Sequence, residues 1–185
     1  MLLEVDSSVD QAILFVNEAS STHKLHMFLN HMVWDVTNVQ CFKMSEAAQE
    51  NLVKEFKSCL TSVLITSDAF STRIDFPHGN MVINFDLPQD TTSYLQRLSR
   101  VSRFEKKGAA FNLVLPNCLD YMTKLEKHFE LKHKEIQPWN CIDSYKSAFK
   151  EARMGEGELY HIVLTFTSKT VANHQLWNSN YLHKI

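Results

Sequence analysis

The sequence predicts a three-layer α/β domain, a mostly parallel sheet with helices on both faces. Two observations carry that prediction. Apolar runs of strand length alternate along the chain with segments of helical period, the order produced by βαβ units. Most of the helical segments open on a Ser, Thr or Asp able to cap the first turn. Right-handed crossovers between such strands give a doubly wound sheet whose ligand edge is formed by the carboxyl ends of the strands.

The strands are read at Ala12–Val16, Val36–Phe42, Val63–Thr66, Met81–Phe85 and Ala109–Leu115. Helices are expected at Ser21–Met32, Ser45–Lys57, Thr91–Arg103 and Leu119–Leu131. Ser45 serves as the cap of the second helix, and Leu52, Val53 and Phe56 form its buried stripe. In the fourth helix Tyr121, Leu125 and Phe129 recur at helical spacing. Beyond Pro138 the pattern changes: Gly155 and Gly157 bracket a polar break, and one short strand-like run follows at Tyr160–Phe166. Residues 1–140 are therefore read as one domain and 141–185 as a C-terminal extension, either packed on the domain or partly disordered.

The chain has 185 residues, enough for one domain with a substantial core, and 19 basic residues against 21 acidic ones. This balance excludes a strongly cationic nucleic-acid binder, so any phosphate recognition is local. Cys41, Cys59, Cys118 and Cys141 form no Cys-x-x-Cys pair, which argues against a structural zinc site or a disulfide framework and for a reducing intracellular compartment. His23, His26, His128 and His133 have no acidic or cysteine partner at ligand spacing, so no metal site is expected. No apolar run has the ~18 residues needed to span a bilayer, so no membrane association is expected.

The segment with the most chemical content is Tyr94-Leu-Gln-Arg-Leu-Ser-Arg-Val-Ser-Arg-Phe104, in which Arg97, Arg100 and Arg103 stand three apart. On one helix running to Arg103 these side chains project from a common face. Arginine suits phosphate binding because its planar fork stays charged and is bidentate. The plain alternative is a solvated basic face.

Several stretches in order over about 135 residues resemble the second RecA-like lobe of DEAD-box ATP-dependent RNA helicases, particularly the branch acting in splicing and nuclear mRNA export. They are Gln11-Ala-Ile-Leu-Phe-Val16, Ser62-Val-Leu-Ile-Thr-Ser-Asp68 with Arg73-Ile-Asp75, Asn84-Phe-Asp-Leu-Pro88, and the arginine segment itself. The resemblance implies that Arg100 and Arg103 are arginine fingers toward ATP, that Asp75 contacts its ribose, and that the magnesium and the phosphate-cradling loop belong to a first lobe. It implies RNA contacts at Asn17, Thr66, Thr72 and Arg73, and interlobe contacts at Gln96 and Arg97. Implied partners are RNA, a first RecA-like lobe and proteins that regulate helicases, in the nucleus or cytoplasm.

Departures from the family pattern fall mainly on the RNA side. Thr72-Arg73 stands where the family has Arg-Gly, Glu46 and Gln49 stand where it offers Gln and Arg, and Gln96, Ser99 and Ser102 replace its His and small residues. RNA binding through this lobe is accordingly expected to be weak. The chain has four glycines, none clustered at a strand-to-helix turn, and no Gly-Lys-Thr loop, so it is not expected to hydrolyse ATP alone. Two function classes follow: the C-terminal lobe of an active helicase, or a catalytically inactive adaptor that keeps the fold to bind helicase partners.

Overall fold

The structure is a computed structural model describing residues 11–31, 35–38, 44–71, 78–100, 108–130, 133–136, 147 and 159–165. Among the described residues seven parallel strands form one sheet: β1 (Gln11–Phe15), β2 (Val36–Asn38), β3 (Val63–Thr66), β4 (Gly79–Asn84), β5 (Gly108–Val114), β6 (His133–Ile136) and β7 (Leu159–Thr165). Their spatial order is β2-β3-β1-β4-β5-β7-β6. The helices are α1 (Ala19–His31), α2 (Glu46–Lys57), α3 (Asp68–Ser71), α4 (Thr91–Leu98) and α5 (Leu119–Phe129). The five strands and four helices expected from the sequence are all present, so the RecA-like α/β class holds.

β1 is buried along its whole length between β3 and β4, as a continuous apolar run in a parallel sheet requires. The pairings Ile13↔Leu64, Ile13↔Val82 and Val82↔Ala110 put these side chains on one face. There Ile13, Phe15, Leu64 and Val82 pack with Phe56 of α2 and Phe70 of α3, while Ala110 and Val114 pack with Tyr94 and Leu98 of α4 and Met122 and Leu125 of α5. The connection from β1 to β2 runs the opposite way along the sheet from those that α2 to α5 make, so right-handed crossing sets α1 on the other face. The same reversal leaves a switch point between the carboxyl ends of β1 and β4, the place where open α/β sheets bind ligands.

Three differences from the sequence reading have physical causes. The third expected helix, Thr91–Arg103, stops at Leu98: the Arg100 amide bonds the Arg97 carbonyl, a tightened last turn, and the Ser99 hydroxyl donates to the Gln96 carbonyl. Arg100 therefore lies beyond the helix that carries Arg97, and Arg103 lies outside the described residues. β6 is not foreshadowed in the sequence, because His133-Lys-Glu-Ile136 has no apolar alternation. The strand-like run near Tyr160 is β7, and it pairs in parallel with β5 from Gly108↔Leu159 to Val114↔Thr165, so this part of the C-terminal stretch is built into the sheet. Val36–Phe42 is strand through Asn38, and the rest of that run lies outside the described residues.

Asp90 caps α4: its carboxylate accepts from the Ser93 amide and hydroxyl, and those bonds hold its pKa below the ordinary 3.8. A depressed carboxylate contributes stability above its unfolded pKa and loses it as pH falls through the folded value. Asp90→Asn keeps the cap oxygen without the charge. The stability advantage of the parent over Asp90→Asn, read from urea midpoints, should therefore shrink between about pH 6 and about pH 3. A constant difference would show that the carboxylate charge is immaterial to the cap.

Candidate functional site at the switch point

Arg97 lies at the switch point with no solvent exposure, beside the ends of β1, β3 and β4. Its Nε and Nη2 donate to the two carboxylate oxygens of Asp68, both at 2.7 Å. Nη1 donates to Asn84 Oδ1 at 3.1 Å and to the Asp86 carbonyl at 2.7 Å, and Nη2 donates to Asn17 Oδ1 at 2.8 Å. A guanidinium has five N–H groups, and all five are used. Its carbon also stands 5.0 Å from the centre of the Phe15 ring, adding a cation–π contact.

Sequence and topology together explain this arrangement. Asn17 follows β1, Asp68 opens α3 directly after β3, and Asn84 and Asp86 lie at the end of β4, so one guanidinium gathers three strand ends. Asn17 completes the tie: its amide N–H donates to Asp86 Oδ2 at 3.0 Å and its Nδ2 to the Leu87 carbonyl at 2.7 Å. Asn84 and Asn112 face each other across β4 and β5, and Asn84 Nδ2 donates to Asn112 Oδ1 at 2.7 Å. Asn112 Nδ2 in turn donates to the Tyr94 hydroxyl at 3.2 Å. Burial, partly offset by that bond, pushes the Tyr94 phenol well above its ordinary pKa of 10.0, so it stays protonated.

Several expected roles require correction. The resemblance implies an interlobe contact for Arg97, but with every donor engaged inside the lobe and no exposed surface it has nothing to offer across a cleft. Thr66, expected at RNA, is wholly buried, and its hydroxyl donates to the Ser67 carbonyl. Asn17, also expected at RNA, is exposed, and its side-chain amide bonds Arg97 and the Leu87 carbonyl, so nothing here overturns its expected role. Gln96 is exposed, in keeping with a surface contact. Arg100 is 8% exposed and its Nε donates to the Gln96 carbonyl at 3.2 Å, so it lies folded against the end of α4. Thr72, Arg73, Asp75 and Arg103 lie outside the described residues. The Asn84–Asn112 pair is absent from the sequence reading; each Asn interrupts an apolar strand, but that the two are opposite one another is set by the register of β4 and β5.

Among the described residues no group of three or more His, Cys, Asp or Glu could hold a metal ion, and no helix is long and apolar enough to cross a membrane. The arrangement present is an arginine-organised carboxyl edge on a parallel sheet with helices packed against it, a RecA-like α/β lobe.

Comparison with known proteins gives the family. The profile of the helicase conserved C-terminal domain matches residues 1–105. DEAD-box ATP-dependent RNA helicase 38 of Arabidopsis thaliana is 42% identical over 153 residues, covering 78% of this chain and 31% of the relative. Its counterpart in Oryza sativa subsp. japonica is 30% identical over 164 residues, covering 84% and 32%. The chain thus spans about a third of the length of the curated relatives it matches. Among solved structures, S. cerevisiae Dbp5 bound to RNA and ADP BeF3 has TM-score 0.72 at 24% identity, over 78% of this chain and 39% of that one. A variant Dbp5 C-terminal domain bound to Gle1 and IP6 gives 0.72 at 23%, over 82% and 86%. The chain belongs to the helicase conserved C-terminal domain family, as a second RecA-like lobe of the DEAD-box type.

Removing the Arg97 side chain strands the Asp68 carboxylate and leaves Asn84 and the Asp86 carbonyl without their donor. Because Asp68 is 35% exposed, the cost of Arg97→Ala should sit at the lower end for a broken buried pair, about 3 kcal/mol by urea unfolding. Arg97→Lys should recover little, since three donors on a point charge cannot reproduce the bidentate fork. An unchanged midpoint for Arg97→Ala would show that the pair contributes nothing to folding.

Proposed function

We propose that this lobe completes an ATP site on the face of a first RecA-like lobe, as the C-terminal half of an RNA helicase acting in RNA processing or export. Arg100 and Arg103 serve as arginine fingers to the phosphates, and Asp75 binds the ribose. The observation that carries the reading is the saturated Arg97: it anchors the start of the 97–103 segment at the ligand edge of the sheet. The residues present fit a nucleotide held elsewhere and finished here, since the sequence has arginines for the phosphates but no glycine-rich loop to cradle them. Magnesium bound by the first lobe would supply the charge neutralisation that this lobe's residues lack. With Nε bonded to the Gln96 carbonyl, the Nη groups of Arg100 are the ones this reading assigns to the phosphates.

RNA contact is weak in this reading. Thr66 is buried in the lobe, and Gln49, aligned with an RNA-facing position, is buried with its Nε2 donating to the Met44 carbonyl at 3.1 Å. Asn17, Thr72 and Arg73 remain for the phosphate backbone. These same observations favour a second reading, in which the fold is kept as an inactive adaptor that competes for helicase-binding proteins. Dbp5 structures with Gle1, and with Nup159, Gle1, IP6 and ADP, illustrate such partners for a related lobe.

The deciding experiment replaces the second lobe of an active helicase of this branch with the whole chain and measures RNA-stimulated ATP hydrolysis. Turnover is expected, with Arg103→Ala and Arg100→Ala each lowering kcat about a thousandfold. The salt dependence of RNA binding should be shallower than the parent's, by about one unit of slope for each phosphate that this lobe leaves unneutralised. Background turnover from a folded chimera would reject the helicase reading in favour of the adaptor.

A further inference from the structure

The buried row Arg97–Asn84–Asn112–Tyr94 has a polarity that chemistry dictates. A guanidinium donates only, so Asn84 must turn its oxygen toward Arg97. Its Nδ2 then points across the sheet, and Asn112 must answer with an oxygen. The Asn112 Nδ2 is thereby directed at Tyr94, whose hydroxyl oxygen must accept. Bond lengths of 3.1, 2.7 and 3.2 Å follow that sequence, and none of the four side chains has exposed surface. Were Asn112 unable to accept, nothing on the β5 side would hold the Asn84 amide in register. Its NH2 could then rotate toward Arg97, opposing donor to donor in a site without water to relieve it.

We infer that Asn112 is a positioning residue: acting through Asn84, it fixes the guanidinium of Arg97 and with it the start of the segment that carries Arg100 and Arg103. The catalytic part of this inference rests on the proposed arginine-finger role. Its structural part concerns Arg97 alone. Asn112 sits on β5, which carries none of the ATP or RNA contacts expected of the family, yet its amide sets the orientation of the group that gathers three strand ends. Asp68, Asn17 and the Asp86 carbonyl hold the guanidinium from the other side, so losing Asn112 loosens the arginine without releasing it. The expected consequence is a misplaced finger segment on a folded lobe.

Two variants test this. Asn112→Val removes the acceptor and suits a strand among apolar neighbours. Asn112→Asp, its acid kept protonated by burial, keeps a carbonyl oxygen for Asn84 and an O–H to donate to the Tyr94 oxygen. Side-chain NMR of the guanidinium groups in the 185-residue chain should show separate Nη signals for Arg97 in the parent and in Asn112→Asp, merged by rotation in Asn112→Val. In the helicase chimera Asn112→Val should lower kcat about tenfold or more with KM for ATP within about twofold, while Asn112→Asp stays near the parent. Unchanged Arg97 signals or unchanged kcat in Asn112→Val would overturn the inference, as would an Asn112→Asp variant that loses as much as Asn112→Val. Should Asn112→Val not fold, Asn112→Asp decides: retained signals support the acceptor role and their loss rejects it. An inactive parent chimera would instead defeat the arginine-finger reading, and the Arg97 signals alone would then settle whether Asn112 positions it.

Discussion

The lobe depends on placing a full positive charge where no water reaches. Desolvating a guanidinium costs several kcal/mol even after relaxation, and the cost is met only when geometry and hydrogen bonding are both complete. Here every N–H of Arg97 has an acceptor, one of them a bidentate carboxylate, and an aromatic ring lies against it. Those acceptors come from the ends of three separate strands. The arginine is satisfied only if β1, β3 and β4 are in register and α3 and α4 are seated, so one electrostatic requirement selects the whole carboxyl edge.

The consequence for function is a division of labour among three similar residues. Spacing alone makes Arg97, Arg100 and Arg103 equivalent, but the end of α4 at Leu98 separates them. Arg97 faces inward and is consumed by the fold. Arg100, just past the last turn, lies against the Gln96 carbonyl. Arg97, whose five donors are all engaged within the lobe, fixes the end of α4 from which the rest of the arginine segment continues.

Much of the fold is readable because parallel strands buried on both faces are plain apolar runs, and because Ser45 and Asp90 announce their helices. β6 is unreadable for the converse reason: His133-Lys-Glu-Ile136 has no apolar alternation, and its place is set by pairing with β7. The site is half legible. Family resemblance locates the arginine segment, but periodicity cannot reveal that Ser99 and the Arg97 carbonyl tighten the last turn of α4, nor that Thr66 is buried. Whether a polar residue meets solvent or a neighbouring strand depends on tertiary register, which single-sequence patterns do not carry. Asn84 and Asn112 show the same limit, since their meaning lies in being opposite one another.

The insertion of β7 between β5 and β6 has a consequence for how the chain is made. During synthesis β1 to β5 emerge first, and β5 then has an open hydrogen-bonding edge until Leu159–Thr165 arrives. β6 emerges earlier than the strand that recruits it, so it waits without a pairing partner. Such an exposed edge is a template for association with other chains, and closing it late is slow because the partner lies far along the sequence. The far side of the sheet thus depends on contacts more distant in sequence than those that join β4 to β5.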